Sequence, residues 1–350
     1  MRILLLSAYD TPSHRNWCQG LQNKLANLEW KYLALPPRHF PWRIRGNPLS
    51  WYATKDRELR QSYDILLATS MVDLASLCGL YPHLARAKKI LYFHENQFAY
   101  PLSKSPQRGT VEPRMVNIYS ALTADKVLFN SEYNLNTFFQ GARDLLKKMP
   151  DFSPPEMINS VQAKSEVLPV PVQSFTNDVS APERIAASLL WNHRWEYDKN
   201  PADFFQACYI LKSKNIPFKL IVMGQQFRRH PKEFDLAKKE LQDYILVWGE
   251  QNAEDYRYWL MRGEWAVSTA YHEFQGVALM EAVRAGNIPV VPDRLSYPEF
   301  FSQDYRYGQS ATDLANFLEV HLGSKQLSPP DLDGFSWEEL APQYKKILLD

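Results

Sequence analysis

Short apolar runs recur along the first half of the chain at helix-length intervals, and a small or polar residue lies at the end of each. Such runs, separated by segments long enough for a helix, are typical of a parallel β-sheet with crossover helices. The runs cover residues 3–8, 64–70, 89–95 and 126–132. Because open α/β folds bind ligands at the carboxyl ends of their strands, the residues at these ends are candidate site residues. They are Ser7, Ser70, His94 and Asn130.

A second series of apolar runs begins at residue 187 and predicts a second α/β unit. These runs cover residues 187–193, 218–224, 244–250, 264–270 and 287–293. Residues 148–183, between the two series, are rich in proline, serine and polar side chains, as in a linker region. We predict domains at 1–170 and 171–335 and a last helix at 336–350, capped by Ser336, that can pack back on the first domain. The expected architecture is two Rossmann-like α/β domains facing across a ligand cleft.

The composition agrees with two domains, because 350 residues are many for one hydrophobic core. No stretch has the roughly 18 apolar residues of a membrane span. Lys and Arg (40) nearly cancel Asp and Glu (39), so polyanion binding requires a local basic patch. The opening MRILLLSAYD is typical of a buried strand rather than a signal peptide, and Cys18, Cys78 and Cys208 lack zinc or disulfide spacing. We therefore expect a soluble cytoplasmic protein.

Residues 272–286, HEFQGVALMEAVRAG, place Glu281 inside a run that is otherwise almost entirely apolar. A helix that is apolar on most faces is expected to be buried, and a buried carboxylate is costly unless a partner or ligand pairs with it. A second carboxylate, Glu273, precedes it by eight positions. The alternative is a helix end that carries a solvated glutamate.

Two cations, Arg194 and Lys199, lie in a predicted strand-to-helix loop that ends at Pro201, a residue tolerated in a first helical turn. Guanidinium, ammonium and helix N-terminal N–H groups all favour an anion, so the loop is a candidate diphosphate clamp. A helix beginning near Gly276 would also direct its positive end at that diphosphate, and glycine allows a close approach. An ordinary solvated loop is the alternative.

One segment mixes basic and aromatic residues in a way suited to RNA phosphates and unpaired bases, and a second adds basic residues in a proline- and glycine-containing loop. The first covers residues 36–52 and the second residues 103–115. The candidate RNA contacts are Arg38, Trp42, Arg43, Arg45, Lys104, Arg108 and Arg114. An aromatic mini-core under a charged rim is the alternative for the first segment, and a solvated mobile loop is the alternative for the second.

The two glutamates carry a family resemblance. Glu273 and Glu281, with seven residues between them, resemble the signature of retaining family 4 glycosyltransferases, which have the GT-B fold of two Rossmann-like domains. More narrowly, LLWNHRWEYDKNP, KILYFHENQFAYP, KVLFNSEYN and the early SH resemble the tRNA-queuosine α-mannosyltransferase family. The resemblance implies GDP-mannose as donor and the cyclopentenediol of queuosine in tRNA as acceptor.

The same resemblance assigns roles to individual residues. It makes Arg194 and Lys199 the diphosphate contacts, Glu281 the ribose contact and Glu273 a contact to the sugar hydroxyls, and it places His94 close to the transferred sugar. The rest of the donor site is expected at Phe274, Gln275, Gly276 and Val277. Acceptor-side candidates are Ser13, His14, Glu95, Asn96, Gln97 and Asn130.

The first loop lacks the consecutive glycines that many family 4 members use near the phosphates. Ser13 and His14 either take that place or are a helix cap and a surface histidine. Asp331 and Asp333 lie in a turn-forming segment without a preceding apolar strand, so we expect a loop and no metal site there.

The family's accepted mechanism is same-face attack without a protein nucleophile, which makes positioning and stabilisation of the departing diphosphate the main catalytic terms. Two other functions stay open from the sequence. One is a family 4 transferase with another sugar nucleotide or a small-molecule or saccharide acceptor. The other is a noncatalytic RNA- or nucleotide-binding protein, against which the intact set of Arg194, Lys199, Glu273 and Glu281 argues.

Overall fold

The chain folds into two α/β units. The computed structural model describes residues 1–99, 111–173, 182–323 and 326–350. The first unit consists of Met1–Pro171 together with Trp337–Asp350, and the second of Val172–Ser336. Within the described residues, each unit contains one six-stranded sheet in which all paired strands are parallel. The predicted α/β class is therefore confirmed.

The first unit has the strand order β2-β1-β3-β4-β5-β6. Its strands are β1 (Arg2–Ser7), β2 (Glu29–Ala34), β3 (Ile65–Thr69), β4 (Lys88–Phe93), β5 (Lys126–Phe129) and β6 (Ser165–Val167). Between these strands lie the helices α1 (Pro12–Lys24), α2 (Phe40–Leu59), α3 (Leu74–Leu80), α4 (Val111–Thr123), α5 (Glu132–Leu146) and α6 (Asn159–Gln162). Helix α6 and strand β6 lie within residues 148–183, so part of the predicted linker belongs to the first unit. The four predicted apolar runs are β1, β3, β4 and β5, whose buried residues are covered by helices as a parallel sheet requires.

The second unit has the strand order β12-β11-β10-β7-β8-β9. Its strands are β7 (Ser188–Trp191), β8 (Lys219–Met223), β9 (Ile245–Gly249), β10 (Trp265–Val267), β11 (Ile288–Pro292) and β12 (Arg306–Tyr307). Its helices are α7 (Pro201–Ser213), α8 (Glu233–Glu240), α9 (Ala253–Arg262), α10 (Val277–Arg284), α11 (Tyr297–Phe300) and α12 (Ala311–His321). From β7 the chain adds β8 and β9 on one side, and from β10 it adds β11 and β12 on the other side. The boundary between β7 and β10 is therefore the topological switch point, where such sheets bind ligands.

Both faces of the second sheet carry a hydrophobic core. Along β7, Leu189 and Trp191 pack into one cluster and Leu190 into the other, as the two-residue period of a strand requires. The cluster that contains Leu190 also contains Leu279 and Met280 of α10. Burial of these apolar residues on either side of the sheet holds the loops after β7 and β10 at a fixed edge.

The last helix, α13 (Trp337–Leu349), packs against α1 in the first unit. The indole Nε1 of Trp17 donates to the Tyr344 hydroxyl at 3.1 Å. Gly20 of α1 allows the Trp337 ring of α13 to pack closely, because a Cβ at position 20 would lie 1.9 Å from that ring. Among the described residues, no helix is both long and apolar enough to cross a membrane.

Candidate functional site

The loops after β7 and β10 meet at the switch point of the second unit and bring together the charged residues that the sequence singled out. After β7 the chain makes a short 3-10 turn, Tyr197–Lys199, and Asn200 then adopts a left-handed conformation with φ 50°. Helix α7 begins at Pro201, as predicted, and the Asn200 side chain accepts from the N–H of Asp203. This tight turn places Lys199 at the carboxyl edge of the sheet.

Lys199 is buried and is surrounded by oxygen atoms. Its Nζ donates to the carbonyl oxygen of His272 at 2.9 Å and to Oε2 of Glu273 at 3.0 Å. Oδ2 of Asp198 lies 3.6 Å away. Burial alone would raise the pKa of Glu273, but the Lys199 charge overcomes it and holds that pKa below its ordinary value. The structure therefore brings the predicted lysine and the first predicted glutamate into one ion pair.

Arg194 extends the same cluster towards solvent, since 43 % of its side chain is exposed. Its guanidinium lies 2.6 Å from Oε2 of Glu196 and 4.0 Å from Oδ2 of Asp198. Burial would raise the pKa of Asp198, but its pairing with His272 and the charges of Lys199 and Arg194 hold it below its ordinary value. Burial raises the pKa of Glu196. A carboxylate thus lies against each of the two predicted cations.

The charges of this cluster do not by themselves attract an anion. Arg194 and Lys199 contribute two positive charges, whereas Glu196, Asp198 and Glu273 contribute three negative charges when ionised. A diphosphate therefore needs further donors, and the N-terminus of α10 supplies main-chain N–H groups and the positive end of a helix dipole. Gly276, with φ 79°, precedes that helix. A Cβ at Gly276 would lie 3.3 Å from the Tyr297 ring.

The turn before α10 uses its large side chains for packing. Phe274 and Gln275 are buried, and Gln275 Nε2 lies 3.6 Å from Sδ of Met280. The Phe274 ring packs edge-on against His272 at 4.8 Å between centroids. Because these side chains face the protein interior, only the main-chain atoms of Phe274 and Gln275 are available to contact a donor. Val277 begins α10, so the predicted helix start near Gly276 is confirmed.

Glu281, one turn into α10, is partly buried and has a partner that the sequence did not reveal. The hydroxyl of Tyr256, from α9, donates to Oε2 of Glu281 at 3.2 Å. Asn192 fixes that tyrosine, because its Nδ2 lies 3.1 Å from the hydroxyl and 2.7 Å from the carbonyl oxygen of Ala278. Burial raises the pKa of Glu281 to about 7, against the opposing effect of the Tyr256 hydrogen bond. The apolar helix thus tolerates its carboxyl group through one hydrogen bond and a shifted pKa.

Sequence reasoning missed five residues of this cluster, one of which is Glu196 beside Arg194. Asn192, Asp198 and His272 lie within motifs that drew attention to their neighbours, and their proximity to Arg194 or Glu273 could have indicated them. Tyr256 lies in α9 without a motif, and only its position against α10 in the folded unit identifies it.

In the first unit, His94 lies directly after β4, at the predicted carboxyl edge. Its ring packs on His14, Trp17 and Tyr92, with centroids 4.2, 4.7 and 4.6 Å away. Neither ring nitrogen has a hydrogen-bond partner within the described part of the chain. Burial, followed by the neighbouring His14, holds the pKa of His94 well below its ordinary value, so the ring is neutral near pH 7.

An amide network fixes the chain on either side of His94. Asn130 Nδ2 donates to the carbonyl oxygen of His94 at 2.9 Å, and Asn134 Nδ2 donates to Oδ1 of Asn130 at 2.8 Å. Asn96 Nδ2 continues the chain of bonds to Oδ1 of Asn134 at 2.8 Å. The main-chain N–H of Gln97 donates to Oδ1 of Asn117 at 2.9 Å. Of the predicted acceptor residues, Asn96, Gln97 and Asn130 are therefore buried in structural hydrogen bonds.

The first loop corrects one expectation. Thr11, and not Ser13, caps α1, because the Thr11 side chain accepts from the N–H of His14. Ser13 is exposed in the first turn, whereas His14 is buried against His94 and is not a surface residue.

The candidate RNA contacts of the first unit differ in exposure and in whether another residue of the chain already pairs with them. Arg38 and Trp42 are exposed, the latter by 55 %. Arg43 is only 7 % exposed, because it lies on the inner face of α2, so its prediction as a surface contact is wrong. Arg45 pairs with Asp73.

The second basic segment is only partly described. Arg114 Nε donates to the carbonyl oxygen of Gln97 at 3.2 Å, and its guanidinium lies over the Phe98 ring. Lys104 and Arg108 lie outside the described residues.

Asp331 lies in a loop, as expected from the sequence, whereas Asp333 begins a short 3-10 helix, Asp333–Phe335. The N–H of Asp333 donates to Oδ1 of Asp331 at 2.8 Å, and Asp333 pairs with Arg284 at 3.2 Å. Among the residues that the structure describes, no three or more His, Cys, Asp or Glu side chains converge in a way that could hold a metal ion.

Comparison with known proteins agrees with this arrangement. Residues 2–172 match the family model described as tRNA-queuosine alpha-mannosyltransferase N-terminal, and residues 187–309 match the one described as glycosyl transferases group 1. A tRNA-queuosine alpha-mannosyltransferase from Drosophila melanogaster is 32 % identical over 99 % of this chain and 96 % of its own length.

Two solved structures show the same fold at low sequence identity. Sucrose-phosphate synthase from Thermosynechococcus elongatus has a TM-score of 0.73 at 14 % identity, covering 99 % of this chain and 98 % of its own. Anabaena HepE in complex with UDP and glucose has a TM-score of 0.70 at 12 % identity, with both chains fully covered. The chain has the GT-B architecture and is similar to the Drosophila protein over almost its full length. It therefore belongs to the tRNA-queuosine alpha-mannosyltransferase family of glycosyltransferases.

Proposed function

We propose that this enzyme transfers a mannosyl group from GDP-mannose to the cyclopentenediol of queuosine in tRNA, with retention of the α-configuration. A cytoplasmic location belongs to the same proposal. The observation that supports mannosyl transfer is the pairing of Lys199 with Glu273 beside the N-terminus of α10. The chain is also 32 % identical, over 99 % of its length, to the Drosophila tRNA-queuosine alpha-mannosyltransferase.

The donor fits this cluster group by group. The diphosphate lies against Arg194, Lys199 and the N–H groups that open α10, because these are the donors that the cluster offers to an anion. The ionised Glu281 accepts from the ribose hydroxyls, with Tyr256 on its other side. Glu273 accepts from hydroxyls of the sugar, since its second oxygen, Oε1, accepts only the N–H of Phe274 at 3.2 Å among the described residues.

The proposed chemistry replaces one bond at the anomeric carbon. The bond from C1 of mannose to the diphosphate oxygen breaks, and a bond from the acceptor hydroxyl oxygen to C1 forms on the same face. The acceptor proton passes to an oxygen of the departing diphosphate, so that no protein nucleophile takes part. Arg194 and Lys199 stabilise the negative charge that grows on the leaving group, which is the largest catalytic term expected of such a site.

Metal independence is part of the proposal. Arg194, Lys199 and the positive end of α10 together provide the positive charge that a divalent cation would otherwise place on the leaving diphosphate. Transfer that persists unchanged in excess EDTA agrees with this assignment. Transfer that EDTA abolishes and Mg²⁺ or Mn²⁺ restores contradicts it.

In the first test, the purified full chain is incubated with GDP-mannose and queuosine-containing tRNA, and the masses of the nucleosides are measured by mass spectrometry. A queuosine nucleoside heavier by one hexose is the expected result. Matched reactions contain UDP-glucose in place of GDP-mannose, or tRNA that carries guanosine in place of queuosine, and both should leave the nucleosides unchanged.

Two results overturn parts of the proposal. An increase in nucleoside mass with UDP-glucose and none with GDP-mannose would identify UDP-glucose as the donor. No shift in queuosine, with GDP-mannose still hydrolysed, retains the donor and removes the acceptor, which a small-molecule or saccharide would then replace.

A further inference from the structure

Glu95 is the charged residue of the His94 loop that the protein itself leaves unused. It directly follows His94 and is partly buried. Within the described part of the chain, its carboxylate forms no hydrogen bond and no ion pair. Its carboxylate oxygens are not among the buried atoms without a partner, so they are accessible to a ligand. A carboxylate whose oxygens the protein neither buries nor pairs can bind a ligand without first breaking a contact.

The main chain around Glu95 is held from three directions. The hydroxyl of Ser70 donates to the Glu95 carbonyl oxygen at 2.9 Å. On one side Asn130 holds the carbonyl oxygen of His94, and on the other Asn117 holds the N–H of Gln97, each at 2.9 Å. These contacts come from the ends of β3 and β5 and from α4. They fix the loop at the carboxyl edge of the sheet while they leave the carboxylate available.

A carboxylate on an ordered loop is a selective acceptor of hydrogen bonds. It has two oxygens, each of which accepts from O–H or N–H donors, and it favours cations. Because its main chain is already ordered, ligand binding costs only the rotamer entropy of the Glu95 side chain. The side chain of queuosine offers this chemistry: a cis-diol, and a secondary amine that is protonated near neutral pH. A guanosine at the same position of tRNA offers neither.

We propose that Glu95 is the acceptor-specificity residue, whose carboxylate binds the protonated amine of queuosine and one hydroxyl of its diol. This inference rests on the proposed function. Glu95 takes no part in bond making, because the acceptor proton leaves with the diphosphate. Its contribution is to hold the diol and to discriminate queuosine from guanosine.

The test compares wild-type enzyme with Glu95→Gln and Glu95→Asp in steady-state transfer from GDP-mannose to queuosine-containing tRNA. Loss of a charge-assisted hydrogen bond should raise KM for the tRNA about 10- to 100-fold in Glu95→Gln. Glu95→Asp keeps the charge and should recover part of that loss. Hydrolysis of GDP-mannose without acceptor and the thermal midpoint should stay at wild-type values in both variants. Glu156→Gln, an exposed glutamate of the same unit, is the matched control.

The outcomes separate this inference from the function on which it rests. A wild-type enzyme that fails to modify queuosine overturns the proposed function and the inference with it. A wild-type enzyme that transfers, beside a Glu95→Gln variant with unchanged KM, overturns the inference alone. A variant that loses hydrolysis or thermal stability together with transfer shows a structural role and also overturns it. A selective rise in KM that Asp partly reverses supports it.

Discussion

The strand ends of the two units carry opposite kinds of polar chemistry. In the second unit, Arg194, Asp198, Lys199 and Glu273 form a network of full charges. In the first unit, the strand ends around the neutral ring of His94 are tied together by asparagine amides. Charged groups at short distance suit a leaving diphosphate, whose charge changes during the reaction. Amides suit the rigid presentation of a loop, since they satisfy main-chain groups without adding charge.

The difference predicts how each region responds to substitution. In the charged network, removal of one ion leaves its partners buried and unpaired, so function and stability change together. In the amide-tied region, exposed residues can change without disturbing the loop, and effects should be confined to the acceptor. Substitutions in the two regions therefore separate donor chemistry from acceptor binding.

The largest effect is expected for Lys199→Ala. The variant loses the cation that lies 3.0 Å from Glu273 and is proposed to stabilise the leaving diphosphate. Turnover of GDP-mannose should fall about 10²- to 10³-fold, the range seen when one transition-state donor is removed. Steady-state kinetics measure this, with Lys238→Ala, an exposed lysine of α8, as control. Wild-type turnover in Lys199→Ala would remove Lys199 from the site.

The same comparison shows what a single sequence can reveal. Glu273, Glu281, Arg194 and Lys199 were identifiable because charged side chains in an apolar context or a strand-to-helix loop require an explanation. The strand runs were identifiable for a related reason, since buried parallel strands are continuously apolar. The edge strand β2 escaped because its residues are mixed and partly exposed.

Residues that act only through tertiary contacts were not identifiable. Tyr256 supports Glu281 from a different helix, and Asn134 supports Asn130 inside the fold, and neither has a local signal. Arg43 and Arg45 are close in sequence and equally basic, yet α2 turns the first inward and the second towards Asp73. Composition alone could not separate them, because helical phase decides which side is exposed.

Trp42→Ala should show an acceptor-specific effect on the RNA surface. Its exposed indole lies near the start of α2 and is available for stacking on an unpaired base. Loss of one such stack should raise KM for tRNA about tenfold or more, with hydrolysis of GDP-mannose unchanged. Phe152→Ala, the removal of another exposed aromatic of the first unit, is the matched control. A tRNA KM equal to that of wild type would leave Trp42 outside the RNA surface, and a loss of hydrolysis would break the separation of the two regions.

The carboxyl group of Glu281 predicts a pH dependence of nucleotide binding. Only its ionised form accepts both ribose hydroxyls, and its pKa is raised to about 7. Affinity for GDP should therefore fall up to about fivefold as pH decreases from 7 to 6, because the ionised fraction of the group falls from about one half to about one tenth. Calorimetry at several pH values tests this, and Glu281→Gln should remove the dependence. A wild-type affinity that is flat across this range contradicts the ribose assignment.

Without nucleotide, the same group changes stability in the opposite direction. Its pKa is about 7 in the folded chain and 4.5 ordinarily, so the folded chain keeps a proton that the unfolded chain releases. Its contribution to the free energy of unfolding is therefore fully present below pH 4.5 and is lost as pH rises to about 7. In Glu281→Gln this part of the pH dependence should be absent from thermal unfolding curves.

The smallest effect on donor chemistry is expected for Tyr344→Phe, in the hydrogen-bonded cluster behind His94. The hydroxyl of Tyr344 accepts from Trp17 and lies 3.0 Å from the hydroxyl of Tyr92, and both of those rings pack on His94. Its removal leaves the buried indole N–H unpaired, which should lower the free energy of unfolding by about 1–3 kcal/mol. Affinity for GDP should stay at the wild-type value, because the cluster lies in the first unit. Chemical denaturation and GDP titration measure the two quantities on one preparation. A stable variant with weakened GDP binding would show that the two regions are coupled, and the comparison between them would then fail.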